Sequence, residues 1–422
     1  MNSIVLTTTS RRQSGRMMRT EDGPEIAILG GGIGGLAAAA FLGAKGFDCD
    51  VYEQADALTE VGAGLVIAPN AARLLRRLGV LDRFAGRAVR MEIGWEFRRW
   101  ENGAVLSAEN LAEGCLRLFG EHTYTAHRAD LLDALRSAVP ERAIHLGKRC
   151  VDVEFEGDQA VLRFEDGETV RPGILIGADG VHSRVRAAVA GPTAGRESGI
   201  CAFRALVPAE RSPGFARRHA QTLWIGPGHH LVHYPVSGGE YVNLVAFAPA
   251  GSDSVESWTA TATVEEFLAE FAGWDPRLVE LITAAGTPGR WALLDREPLD
   301  RWNRGNATLL GDAAHPMFPF FAQGAAQAIE DGAVLALCLA ADRDDPIAAL
   351  GRYEELRRPR TARLQEVSHG RSHINHLPDG PEQRARDLGY AQADPLEANS
   401  WIYEYDPEHL ERGGSKNGSG NR

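Results

Sequence analysis

From Glu25 onward the apolar positions come in short runs cut by glycine. Residues 26–29 are all apolar and too few for a helix, so they read as a buried strand. Five glycines follow within six positions: Gly30, Gly31, Gly32, Gly34 and Gly35. Residues 33–45 carry the pattern of a buried helix, and residues 50–52 form a second short strand ending at Glu53. Strand, glycine turn, helix and strand make a βαβ unit, whose crossover implies a parallel sheet. Residues 26–44 are apolar enough to suggest a membrane span, but the glycine turn breaks it, so no membrane is expected.

The pattern then changes. A helix is expected over 69–78. Residues 91–106 read as paired strands turning at Asn102-Gly103. Residues 127–138 have helical spacing, with Leu131, Leu132 and Leu135 on one face. Strands are expected at 151–155 and 160–164, and a short buried one at 174–176 leads into Gly177-Ala178-Asp179-Gly180. Residues 199–207, 222–225, 230–236 and 241–247 are strand-like, and a helix follows at 264–271. A last strand at 308–310 precedes a strongly apolar helix at 323–340. No internal repeat is present at solenoid periods.

These elements predict an α/β fold in which a Rossmann-like βαβ domain carries a β-rich insertion. The expected division is a disordered tail at 1–24, a nucleotide-binding first part with inserted strands at 25–194 and a β-rich substrate domain at 195–295. The second part of the first domain, with C-terminal helices, then fills 296–411, and a disordered tail 412–422.

Composition narrows the function. The chain has 422 residues, 44% hydrophobic and 24% charged, as ordinary globular proteins do. Its net charge of -12 argues against nucleic acid as a partner, and an anionic substrate would need locally placed cations. Cys49, Cys115, Cys150, Cys201 and Cys338 are odd in number and widely spaced, so they read as reduced thiols of a cytoplasmic protein. Arg11, Arg12, Arg16 and Arg19 precede no apolar run, which suggests a loose tail and not a signal peptide. Asp253, Glu256, Glu265, Glu266 and Glu270 read as a solvated face, and Trp258, Trp274 and Trp291 as core or interface residues.

Gly30-x-Gly32-x-x-Gly35 lies between a strand and a helix, and Glu53 closes the next strand 23 residues after Gly30. That context fits a dinucleotide site, with pyrophosphate at the helix N-terminus and ribose at Glu53, next to Gln54. FAD and NAD remain undivided by this motif alone.

Downstream, Asp179-Gly180, Gly311-Asp312-Ala313-Ala314-His315-Pro316 and Arg128 in His127-Arg128-Ala129-Asp130-Leu131 stand in a telling order. With them the chain resembles the single-component (group A) flavoprotein aromatic hydroxylases from about Ile26 to Tyr405. Residues 311–331, Leu377-Pro378-Asp379-Gly380-Pro381 and residues 401–405 resemble the subgroup of salicylate, hydroxybenzoate and hydroxypyridine hydroxylases. The resemblance implies a p-hydroxybenzoate hydroxylase-like fold, bound FAD, and NADH or NADPH as transient electron donor. It assigns Asp312 to the ribityl chain, Arg128 to the pyrophosphate side, and Asp179 to both FAD and the nicotinamide. Gly324, Ala325 and Ala326 open a helix whose free N–H groups would stabilise an anionic reduced flavin.

His229, His230 and His233 invite a metal reading, which strand alternation opposes. His230 and Tyr234 share one face, His229 and His233 the other. In the resembling family a His and a Tyr so spaced face flavin and substrate, so His230, acting with Tyr234, is expected to be a general base near pH 7. Val66, counted among the residues beside the cofactor, stands where 6-hydroxynicotinate hydroxylases carry a site histidine, and Phe320 replaces a second. With Pro319, Phe320 leaves the substrate pocket apolar. Arg204 reads equally as a substrate-carboxylate site or as a structural ion pair.

The implied activity is NAD(P)H- and O2-dependent hydroxylation of a phenolic, salicylate-like acid through a C4a-hydroperoxyflavin, by a monomer or homodimer. 3-Hydroxybenzoate, a hydroxypyridine, or flavin dehydrogenation without oxygen transfer are the alternatives.

Overall fold

The computed structural model describes residues 23–58, 64–192, 195–250 and 260–409. The expected tails therefore lie outside the described residues except at Gly23 and Pro24, as do Asp253, Glu256 and Trp258. The Pro24 carbonyl accepts a hydrogen bond from the Gly173 amide at 3.0 Å.

A six-stranded sheet places Ile26–Leu29 between Cys49–Tyr52 and Ile174–Gly177, parallel to both. Ala307–Leu309 adds in parallel to Ile174–Gly177, so residues almost 300 positions apart in sequence build one sheet. Ile26, Ile28, Leu175 and Ile176 are fully buried, which explains why these strands read as continuous apolar runs. The helix Ile33–Ala44 packs against the helix Gly324–Ala341. A Cβ at Gly332 would lie 2.8 Å from the Ala38 nitrogen, so the two backbones nearly touch. That contact accounts for the alanines at 37–40. By length and composition Gly324–Ala341 could cross a membrane, yet 72% of it is buried inside the protein. It is a core helix.

The second sheet has seven strands, in the order Gly289–Asp295, Arg196–Pro208, Tyr241–Pro249, His229–Val236, Ala220–Gly226, Ile93–Arg99 and Val105–Asn110. The pair at 93–110, which the sequence pattern assigns to the first part of the chain, thus joins the sheet of the substrate region. Alternation reveals that a strand exists but not which sheet receives it. One face of this sheet packs on the helices Val264–Glu270 and Pro276–Ala284, with Phe203 stacked on Phe267 at 4.8 Å. The other face looks toward the glycine turn. The mixed α/β class expected from the sequence is the one observed.

Candidate active site

A cavity of about 360 Å³ lies between the glycine turn and the open face of the seven-stranded sheet. The glycines of the turn divide their work. Gly30 has φ +108°, and a Cβ on it would meet the Ala178 carbonyl oxygen at 2.3 Å. A Cβ on Gly35 would meet the Gly30 carbonyl oxygen at 1.9 Å. These two let strand and helix approach. Gly32 and Gly34 line the cavity, and a Cβ on Gly32 would meet nothing within 4 Å. The helix start there is open to a ligand.

Glu53 is pinned beneath the turn, its Oε2 accepting from the Gly31 amide at 2.7 Å and its Oε1 from the Ala55 amide at 2.9 Å. Each oxygen keeps a lone pair for a ribose hydroxyl. Gln54 is exposed and stands off the cavity wall. Asp179 also departs from expectation. Its carboxylate accepts from Ser183 Oγ at 2.5 Å and from the Arg184 and Val185 amides at 2.8 and 3.3 Å, capping the helix Arg184–Ala190. Burial pushes this carboxyl upward. The carboxylate shapes the turn, while Ala178, Gly180 and Val181 form the wall.

Asp312 and Gly311 line the cavity in a tight turn, Gly311 at φ +60°. The turn is held from behind by Asp331, whose Oδ2 accepts from the Gly311 amide at 2.9 Å and lies 2.6 Å from His315 Nε2. Arg357 Nε donates to Asp331 Oδ1 at 2.7 Å. Burial alone would raise the Asp331 carboxyl, but His315 and Arg357 more than offset it and hold it at about 2. Arg128, Gly324 and Ala325 line the cavity, whereas Ala326 is buried behind them.

Cross-strand register builds the opposite wall. Arg204, Val245, Val232 and Leu223 are successive partners across four strands and all face the cavity. His230 and Tyr234 share that face. His233 accepts from Trp224 Nε1 at 3.2 Å and His229 lies 3.0 Å from Glu270, both on the far side, so the three histidines do not converge on one point. Val66, Pro319 and Phe320 line the cavity.

The expected base near pH 7 is not what the geometry provides. His230 stacks on Phe247 at 4.4 Å, meets the edge of Phe320 at 5.1 Å, and is 2% exposed. Burial, then the neighbouring His376 and His229, drive its pKa well below the usual histidine value. Burial pushes the Tyr234 hydroxyl up, with Arg204 opposing. The wall therefore holds a neutral imidazole and a neutral phenol. Among the described residues no carboxylate is bonded to His230 to offset the cost of burying an imidazolium.

Arg204 settles differently. Among the described residues no carboxylate pairs with it; its guanidinium sits 4.6 Å from the Trp291 ring centre, and its Nε has no partner. Burial lowers it to about 10, with Tyr234 opposing and Arg128 assisting. It is a cation on the cavity wall.

Sequence reasoning missed His376, whose Nε2 lies 2.6 Å from His230 Nδ1 across 146 positions. It also missed Gln221 and Trp95, both on the wall. The segment 377–381 gave the one available signal, its resemblance to the subgroup, which stops one residue short of His376.

The site fits FAD: an open glycine turn at a helix start, a carboxylate under it, and an aspartate turn facing a second helix start. The FAD binding domain family model matches residues 24–368. Over 383 residues the chain is 42% identical to a 3-amino-4-hydroxybenzoate 2-monooxygenase of Streptomyces platensis, covering 91% of this chain and 96% of that one. It is 37% identical over 349 residues to a 6-hydroxynicotinate 3-monooxygenase of Pseudomonas fluorescens, covering 82% and 90%. A salicylate hydroxylase substrate complex superposes with a TM-score of 0.78 at 25% identity, over 94% of this chain and 100% of that chain. The chain belongs to the FAD binding domain family and is an FAD-dependent aromatic monooxygenase.

Proposed function

We propose that the chain hydroxylates the ring of a hydroxybenzoate, with O2 as oxygen source and NADH or NADPH as electron donor. Arg204 carries this reading: a guanidinium without a carboxylate partner, on the wall of an aromatic cavity, suits a carboxylate on a flat ring. 3-Amino-4-hydroxybenzoate, named for the 42%-identical relative, is the first substrate to try. Salicylate and 3-hydroxybenzoate come next. Hydroxynicotinate ranks lower, because Val66 and Phe320 stand where the resembling hydroxylases carry histidines.

FAD, held by Gly32, Gly34, Arg128, Asp312, Gly324 and Ala325 and against Val66, supplies electron transfer and oxygen activation when bound. The chain's own residues bind and orient. Arg204 anchors the carboxylate. Phe247, Phe318, Phe320 and Trp291 exclude water. Tyr234 stays protonated and donates to the substrate's phenolic oxygen, and His230 receives the phenolic proton on its remaining ring nitrogen, Nε2. The five cysteines are free and buried, as suits a reducing cytoplasm, where we place the enzyme as a monomer or homodimer.

The test is to purify the holoenzyme and follow NADH and NADPH oxidation with a panel of hydroxybenzoates, aminohydroxybenzoates and hydroxypyridines. A product heavier by one oxygen atom supports the reading. Peroxide without product from every hydroxybenzoate would sink it.

A further inference from the structure

His230 has no direct way to pass a proton to water. It is 2% exposed, with Phe247 on its face and Phe320 at its edge. Its Nδ1 is already committed to His376 Nε2 at 2.6 Å. His376 is only partly buried and follows the last residue of the helix Pro346–Asn375. Its own amide donates to the Ser372 and His373 carbonyls, and its carbonyl accepts from Gly228 at the turn before the His230 strand. The backbone at His376 is thus held on both sides, and its imidazole, bonded to His230, is partly buried behind the cavity wall.

We propose that His376 is the outer member of a proton relay that carries the substrate's phenolic proton from His230 to solvent. This rests on the hydroxybenzoate reading. The phenolic O–H breaks as an N–H forms on His230 Nε2, and the electron pair stays on oxygen as phenolate. The N–H on His230 Nδ1 breaks as one forms on His376 Nε2, and the His376 Nδ1 proton leaves to water. Both rings end neutral with exchanged tautomers.

The surroundings favour passage over storage. The charged or titratable neighbours are His229, paired with Glu270 at 3.0 Å, and His373 on the same helix. Phe247 and Phe320 bring none. Burial, then His229 and His373, bring His376 to about 4, so an imidazolium there is short-lived at neutral pH. His376 acts on the substrate only through His230 and is a positioning and relay residue.

The experiment mixes holoenzyme rapidly with 3-amino-4-hydroxybenzoate, or whichever panel acid binds, in weak buffer with a pH indicator, and follows phenolate absorbance in parallel. In His376→Gln, which keeps a hydrogen bond but cannot exchange tautomers, proton release and kcat should fall roughly 10- to 100-fold with KM little changed. In His376→Ala, added imidazole should restore release. Release at the wild-type rate in His376→Gln overturns the relay, as does slow release that imidazole leaves unchanged. If no hydroxybenzoate binds the wild type, the substrate reading fails instead. Exchange of the His230 ring proton with solvent in substrate-free holoenzyme, followed by NMR, still tests the relay: it should slow in His376→Gln, and equal rates overturn it.

Discussion

The Arg204 guanidinium lies 4.6 Å from the centre of the Trp291 ring, on the wall of the cavity and without a carboxylate partner among the described residues. A cation stripped of water and left unpaired is costly unless a ligand completes it. Arg204→Ala should therefore raise KM for a hydroxybenzoate by about 30-fold or more, since losing one partner of a buried charge pair costs about 2–5 kcal/mol. Arg204→Lys should recover only part, because an ammonium lacks the planar fork that matches a carboxylate. Steady-state kinetics on the acid and on the matching phenol without its carboxylate check this. An equal loss on both compounds would mean that Arg204 only supports the wall.

Gly32 and Gly35 belong to one fingerprint but predict opposite failures. Gly32→Ala adds a methyl into open space, whereas Gly35→Ala drives one to 1.9 Å from the Gly30 carbonyl oxygen. The Gly32 variant should fold with near wild-type apoprotein stability and bind FAD poorly. The Gly35 variant should be destabilised with or without FAD, by several kcal/mol as for strained overpacking. Flavin fluorescence on release and apoprotein melting curves separate the two.

The contrast shows what the sequence could reveal. Spacing identified the glycines as a set, but which of them packs and which faces ligand depends on where Ala178 and Gly30 direct their carbonyls. Period-two alternation correctly separated His230 and Tyr234 from His229 and His233, because a strand leaves side chains no other choice. It could not show that His230 is walled in by Phe247 and Phe320, which arrive from positions 17 and 90 residues away, and so it placed near pH 7 the titration of an imidazole that burial holds well below its usual value. Asp179 was recognisable as a motif residue. Its occupation by the helix cap was not, since Ser183 alone does not announce itself.

Glu109 and His376 make stability depend on pH in opposite directions. Glu109 is 2% exposed, bonded to Asn399 at 3.1 Å, and burial raises it to about 8. Between about pH 4.5 and 8 the folded state therefore binds more protons than the unfolded one, and this contribution fades as pH rises. His376, lowered to about 4, does the reverse: its contribution is complete above pH 6.5 and is lost as pH falls toward 4. Melting temperatures across pH 4–9 should thus show Glu109→Gln gaining on the wild type by several degrees above pH 8. His376→Gln should lose less than the wild type on acidification. Parallel curves for all three proteins would refute both assignments.

The last relationship joins the cofactor turn to the back of the molecule. Asp331 Oδ2 accepts the Gly311 amide at 2.9 Å and faces His315 Nε2 at 2.6 Å, while Asp331 Oδ1 receives Arg357 Nε at 2.7 Å. Arg357 in turn donates to Glu330 at 2.6 Å and to Gln327 Oε1 at 2.7 Å, and Asp331, Arg357 and Glu330 are fully buried. Without Arg357 the buried Glu330 keeps only Arg360 as a cation, at 2.8 Å, and Asp331 only His315, so each loses part of its compensation and Arg357→Ala should cost about 3 kcal/mol. Asp331→Asn is subtler. With its oxygen kept on the Gly311 amide and His315, the NH2 faces the Arg357 guanidinium, a donor against a donor; turned the other way, the NH2 opposes the Gly311 amide itself. The Gly311-Asp312 turn should loosen, with FAD affinity falling by about tenfold while the fold persists, on the scale of about 1.4 kcal/mol for a damaged support. Equilibrium FAD titration of the apoprotein reads this directly. Wild-type affinity in Asp331→Asn would show that the turn holds its shape without Asp331.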